Sequence, residues 1–231
     1  AFGAIPAGDP ARRRTTVEPP QDGERRVHLR RPGTTAYWKA VYHAPAFADP
    51  GFFPLLVLDA VLTGANGLNI WSGGRVPSPQ KSSRLYRALV DTGLAASVGG
   101  FVAPTAEPFL YSLAATVANG QSIASVEAAV LEGCARVAAD GVTSTEVEKA
   151  KRQLRARFVF DGDSVTDVAH QLGYFHTIGR WQAWGDAFAR LAGVTQEAVH
   201  ASARTVLAAD NRTIGVFEPT GEAAGGGDEG R

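Results

Sequence analysis

The chain is short of several things that would narrow its function. Of its 231 residues one is cysteine and none is methionine. A single thiol, Cys134, excludes an internal disulfide and any zinc site built on cysteines. Neither sign of charge is in excess, with 23 Lys and Arg against 23 Asp and Glu, so a surface dedicated to nucleic acid or to an anionic membrane is not expected. No apolar run approaches the roughly 20 residues of a membrane-spanning helix, and no basic-then-apolar opening marks a signal peptide. The expectation is a soluble chain with no membrane span and no nucleic-acid partner. It opens on Ala1 and reads as a piece of something larger.

Catalytic motifs are missing as well. There is no GxSxG, and the glycines of "TGANGLNIWSGGR" match neither GxGxxG nor a P-loop. They read as a connector with a possible substrate-facing role, because loops of that length inside a domain are often functional. His170 and His176 stand six apart on an expected helix, which turns one about 240° from the other. His28 and His43 fall on expected strands, and His200 has Arg204 four residues on, so no helical zinc pair forms. "DGDSVTD", with Asp161, Asp163 and Asp167, lacks the central glycine and terminal glutamate of a calcium loop and reads as helix capping. Cys134 lies on the apolar face of an expected helix and reads as core. Spacing alone yields no catalytic set.

What is present is a globular core, at 45% apolar and 20% charged residues. Residues 1–24, rich in Pro, Gly, Arg and Glu and including Arg12, Arg13 and Arg14, read as an extended linker, and residues 220–231 as a flexible tail. Between them, "RRVHLRR", with Val27 and Leu29 on one face, and "TAYWKAVYH" predict a strand pair. "GFFPLLVLDAVLTG" predicts an apolar helix, and a Gly- and Ser-rich loop over 65–80 leads to a second helix over about 82–92. "LAASVGGFVA" and "PFLYSLAATV" predict two more strands, the latter with Phe109, Tyr111, Leu113, Ala115 and Val117 on one face.

The period then turns helical. Ser122 caps a helix carrying Val126, Val130, Cys134 and Val137; Thr143 and Glu146 form a capping box for the next. A further helix starts near Ser164 with Val165, Val168, Ala169, Leu172 and Phe175 inward, a short one covers Ala183–Leu191, and Thr195 caps the last, with Val194 and Val199 as a hydrophobic staple. "NRTIGVFEP" closes the domain as a strand. The order predicts one α+β domain over 25–219, an antiparallel-rich sheet with helices packed on one face.

"SSRLYRALVDTGLAASVGG" resembles the signature of the C-terminal domain of pitrilysin-type zinc metallopeptidases, the superfamily of the insulin-degrading enzyme and the mitochondrial processing peptidase. "FGAIPAG" is similar to the linker leaving that family's N-terminal domain, and the strand pair, "LLVLDAVLTG" and "NRTIGVFEP" are similar to further family elements, so the likeness runs from Phe2 to Pro219. The resemblance implies a two-layer α/β domain facing a homologous zinc domain across a cleft. That partner carries HxxEH and a distal Glu, and the motif's Glu is the general base for the attacking water.

No HxxEH occurs in this chain, and the equivalent helix puts Leu55, Leu58 and Asp59 at the motif positions. The resemblance therefore implies the non-catalytic partner, with no catalytic residue, no metal ligand and no cofactor of its own. Zinc is expected on the HxxEH-bearing domain, upstream or on a separate subunit, and the substrate is a peptide or small protein. Many family members grip the peptide with an Arg and a Tyr, in a pattern like "LREKRGLAYSV"; here Leu89 and Ala96 occupy those positions. The substrate-facing set then comprises Ser82, Ser83, Arg84, Arg87, Gly93, Leu94 and Ala96, with backbone strand pairing as another means of grip. The compartment stays open, with bacterial cytoplasm or periplasm as the places a soluble chain would occupy. The alternatives are an inactive structural or assembly subunit of the same family and a small-ligand module using the Gly-rich loop.

Overall fold

The computed structural model describes residues 3, 4, 6, 8, 18–70 and 81–221. Most of the expected linker, including Arg12–Arg14, residues 71–80 of the Gly-rich loop and the tail from 222 lie outside the described residues.

Five strands form one sheet in the order β1-β5-β2-β4-β3: β1 Arg25–Arg31, β2 Tyr37–Ala44, β3 Ala95–Val102, β4 Phe109–Val117 and β5 Arg212–Pro219. Only β1 and β5 run parallel; every other pair is antiparallel. The helices are α1 Phe52–Leu62, α2 Ile123–Asp140, α3 Ser144–Phe160, α4 Val165–Ile178, α5 Gln182–Ala192 and α6 Gln196–Val206. The element order is the expected one, and the sheet carries its core on one side only. Trp38, Ala40, Tyr42 and Ala44 of β2 and Tyr111, Leu113, Ala115 and Val117 of β4 are buried towards the helices. Their alternate neighbours Tyr37, Lys39 and Ala114 are exposed on the other face.

The apolar sequence of α1 dictates its place. All eleven of its residues are buried, as a helix apolar on every side requires. It packs against α3, α6 and β3. The capping devices form as the sequence predicts: Ser122, Thr143, Ser164 and Thr195 each accept a backbone N–H three residues on, and Thr143 with Glu146 completes a capping box.

Three expectations are corrected. The expected helix over 82–92 is present but shorter, over residues 84–90, and is π-helical at Tyr86–Val90, a geometry that recurs where a helix is locally strained or functional. Val165, expected inward, is 88% exposed and Ala169 is also exposed. Val165 is the first residue of α4, and the inward stripe is Val168, Gln171, Leu172 and Phe175, at positions i, i+3, i+4 and i+7. Phe109, at the first position of β4, is exposed while the rest of its stripe is buried. Val27 and Leu29 share a face as expected, and it is the bare face of the sheet.

Glu146 also joins the short helix over 84–90 to α3. Arg84 donates to both of its carboxylate oxygens, at 2.7 and 2.8 Å. The Arg84 bonds, opposed in part by desolvation and helped by the Thr143 cap, lower the Glu146 carboxyl to about 2. A lowered acid stabilises the fold above its ordinary titration range, and that contribution is lost as pH falls towards 2. Thr143→Ala is expected to cost about 1 kcal/mol in urea unfolding at neutral pH. Glu146→Ala is expected to cost more, because it removes the cap and leaves Arg84 without its partner; an equal cost for the two would show that the Arg84 pair contributes nothing.

Candidate functional site

The α1 residues that the resemblance sets against the zinc motif are Leu55 and Leu58, both fully buried, and Asp59, 1% exposed. Asp59 lies among leucines because its carboxylate is fully engaged. Oδ1 accepts from the Thr63 hydroxyl at 2.8 Å and from the Tyr111 hydroxyl at 3.0 Å, and Oδ2 accepts from the Asn66 amide at 3.3 Å. The same Asn66 amide donates to the carbonyl of Gly100 at 2.9 Å. One buried carboxylate thus links α1, the start of the Gly-rich loop, β3 and β4.

Gly100 makes this possible. A Cβ built there would lie 1.8 Å from Asp59 Oδ1, so only a residue without a side chain lets β3 pass over the carboxylate. Burial raises the Asp59 carboxyl to about 6, with the bonds from Thr63, Tyr111 and Asn66 pulling the other way. Burial first, then the adjacent Asp59, pushes the Tyr111 phenol well above its ordinary value. Two leucines and a carboxylate engaged by three donors do not fit zinc. Among the described residues no three His, Cys, Asp or Glu side chains converge as a metal set.

The Gly-rich loop has a second anchor. Asp161, at the end of α3, accepts from the backbone N–H of Leu68 at 2.8 Å and of Asn69 at 3.1 Å. Asn69 also donates to Asp167 at 3.1 Å. Asp167 belongs to the cap of α4, as the capping reading of "DGDSVTD" has it, whereas Asp161 holds a loop more than 90 residues earlier in the chain. Nothing in local spacing signals that contact. The Asp59 cluster did leave a signal, a lone acid inside "LLVLDAVL" with Thr63 four residues on.

The seven residues expected to face substrate fall into three places. Ser82 and Ser83 line a small recess with Ala60, Gly64, Glu146 and Lys149; Ser82 is exposed, while Ser83 is buried. Arg84 and Arg87 line a groove towards Gly133, Arg136 and Asp140 on α2, with Arg84 held by Glu146 and Arg87 exposed. Gly93 and Leu94 form the turn into β3 and Ala96 stands at the strand's start; Gly93 has φ +75°, and the ladder with β4 shifts register between Ala95 and Ser97. Leu89, which the resemblance sets at the family's Arg position, is fully buried, and Ala96, which it sets at the Tyr position, is exposed at that irregularity.

β3 is an outer strand of the sheet, and from Gly93 through Ala106 the chain carries no charged residue. Outer strands are ordinarily blunted by charge or proline because their free backbone groups pair readily with another chain. β1, the other outer strand, has five basic residues among seven.

The sequence model of the family described as "Peptidase M16 inactive domain" matches residues 1–154. Among solved structures, the chain is 25% identical to the inactive peptidase domain of a Bordetella parapertussis protein described as a zinc protease, with TM-score 0.68, over 83% of this chain and 97% of that one. It superposes with TM-score 0.75 on a protease from Helicobacter pylori, at 19% identity, covering 87% of this chain and 45% of that one. A peptidase M16 inactive domain from Pseudomonas fluorescens gives TM-score 0.71 at 18% identity, over 92% of this chain and 47% of that one. The chain therefore spans nearly all of the first and about half of the other two. No curated protein matches it by sequence.

An acid raised above its ordinary value holds a proton in the folded state that the unfolded chain has released. The stability Asp59 contributes is therefore fully present below about pH 4 and is lost as pH rises through about 6. Asp59→Asn, which keeps an acceptor for Thr63 and Tyr111, is expected to flatten this dependence and to raise stability at pH 8 by roughly 1–3 kcal/mol. Urea unfolding at pH 5 and pH 8 checks it; an unchanged pH slope in the variant would contradict the assignment.

Proposed function

Because this chain belongs to the peptidase M16 inactive-domain family, we propose that it is the non-catalytic, substrate-binding domain of a zinc metallopeptidase. In this reading it forms one wall of a peptide-binding chamber, opposite an HxxEH-bearing zinc domain that lies outside these residues. The observation that carries the reading is the state of α1. Leu55, Leu58 and Asp59, which the resemblance sets against the zinc motif, are core and an internal hydrogen-bond cluster, which supports a non-catalytic role.

The division of labour follows from the chemistry. The zinc domain supplies the metal and the general base for the attacking water. This domain supplies surface: a sheet open on one face and an uncharged outer strand. The peptide is held through the backbone edge of β3, since Leu89 is buried and Ala96 has no polar group with which to grip it. Ser82, Arg87, Gly93, Leu94 and Ala96 contribute the rim, while Ser83 and Arg84 fix the short helix that presents them. Backbone pairing makes the grip tolerant of substrate sequence and sensitive to substrate length.

No helix among the described residues is long and apolar enough to cross a membrane. We place the parent peptidase in the bacterial cytoplasm or periplasm.

The test is reconstitution. Alone, with or without added zinc, the chain is expected not to cleave a quenched fluorescent peptide; with a homologous HxxEH-bearing partner, cleavage is expected to appear. Cleavage by this chain alone would overturn the reading. Stable association with the partner and no cleavage would assign the chain instead to a structural or assembly subunit.

A further inference from the structure

The bare face of the sheet carries a charge asymmetry that no element described so far uses. In β1 the side chains alternate between the two faces. Arg26, His28 and Arg30 lie on the helix side, where each meets a carboxylate: Arg26 meets Glu24 and Glu127, and His28 and Arg30 meet Glu218. Arg25 and Arg31 lie on the bare side with Val27 and Leu29 between them, and neither has an ion-pair partner among the described residues. Lys39 of β2, on the same face and exposed, has none either. Glu218 is the only acid in the five strands, and it sits on the helix side. The bare face of the sheet is thus wholly without acid.

Between these cations lies an apolar groove of 170 Å³ lined by Val27, Leu29, Tyr37 and Phe217, with Gly215 as its floor and Lys39 at its side. Tyr37 and Phe217 hold each other in a tilted pair, ring centroids 5.9 Å apart. Val27, Leu29 and Tyr37 are each about half exposed. Protection of a sheet edge accounts for charge on β1 but not for Lys39, which stands on the third strand in, and not for apolar side chains left in water beside it.

We propose that this end of the bare face is a docking surface for extended peptide segments in which acidic residues flank a short apolar core. The proposal rests on the substrate-binding reading above, in that the occupant is a segment of the peptide substrate, and it gives that substrate a class. Apolar side chains of the guest fill the groove, and its carboxylates meet Arg25, Arg31 and Lys39. Arg25 and Arg31 are six residues apart on an extended strand, about 20 Å, which sets the separation of the two acidic ends.

The experiment is fluorescence anisotropy with the labelled peptide Glu-Glu-Leu-Val-Phe-Leu-Glu-Glu and its lysine counterpart. The glutamate peptide is expected to bind at least about tenfold more tightly than the lysine peptide, and less tightly as salt rises. Lys39→Gln and the double variant Arg25→Glu with Arg31→Glu, all at exposed positions, are expected to weaken it about fivefold or more without shifting the thermal melt. Equal binding of the two peptides, or binding indifferent to both variants, overturns the proposal. So does capture by phosphatidylserine vesicles that is lost in the variants while the peptide fails to bind, since the surface would then be a membrane contact. Restored cleavage with a zinc partner and no glutamate-peptide binding would end this proposal alone. Variant-sensitive peptide binding and no restored cleavage would end the substrate reading and leave the surface.

Discussion

A carboxylate with no cation beside it stands at the meeting point of α1, β3, β4 and the Gly-rich loop, and the geometry of all four follows from keeping it satisfied. Asp59 cannot be solvated where it is, so the fold must bring it donors: Thr63 from its own helix, Tyr111 from β4 and Asn66 from the loop. β3 can cross the site only because Gly100 has no side chain to meet the carboxylate. The loop is held at Asn66 by this cluster and at Leu68 and Asn69 by Asp161. The carboxylate acts as an internal fastening between two strands, a helix and a loop.

The sequence gives away whatever depends on local period and leaves hidden whatever depends on distant contact. Alternation in β2 and β4, the all-round apolar helix α1 and the four capping residues are local signals, and each leads to the element it predicts. The π-helical stretch after Arg84 is less legible, because a wider turn and an α-helix bury the same leucines, Leu85 and Leu89. Val165 misleads because an apolar residue at the first turn of a helix resembles the inward stripe without belonging to it. Of the site, Asp59 could be singled out as a lone acid. Its partner Tyr111, 52 residues away, and the closeness of Gly100 come only from the register of β3 and β4.

The two outer strands of the sheet have opposite characters. β1 is dense in cations, matched by carboxylates on the helix side and unmatched on the bare side. β3 carries no charge at all, and its small residues bring its backbone close to whatever lies alongside. A balanced net charge conceals this arrangement, because composition averages over faces and the fold separates them. A neutral chain can still present a local field of one sign.

The strand order has a consequence for how the molecule comes into being. β1 is the first strand made, and its sheet neighbour is β5, the last, which is inserted between β1 and β2. A nascent chain emerging residue by residue can pair β2 with β4 and β4 with β3. Until residue 219 has left the ribosome, however, it has nothing to put beside β1. Nearly two hundred residues must therefore wait for the closing strand, and an interrupted synthesis product displays the inner edge of β2 as a ready template for another unfinished chain. The sheet of this domain is therefore complete only when its last strand arrives.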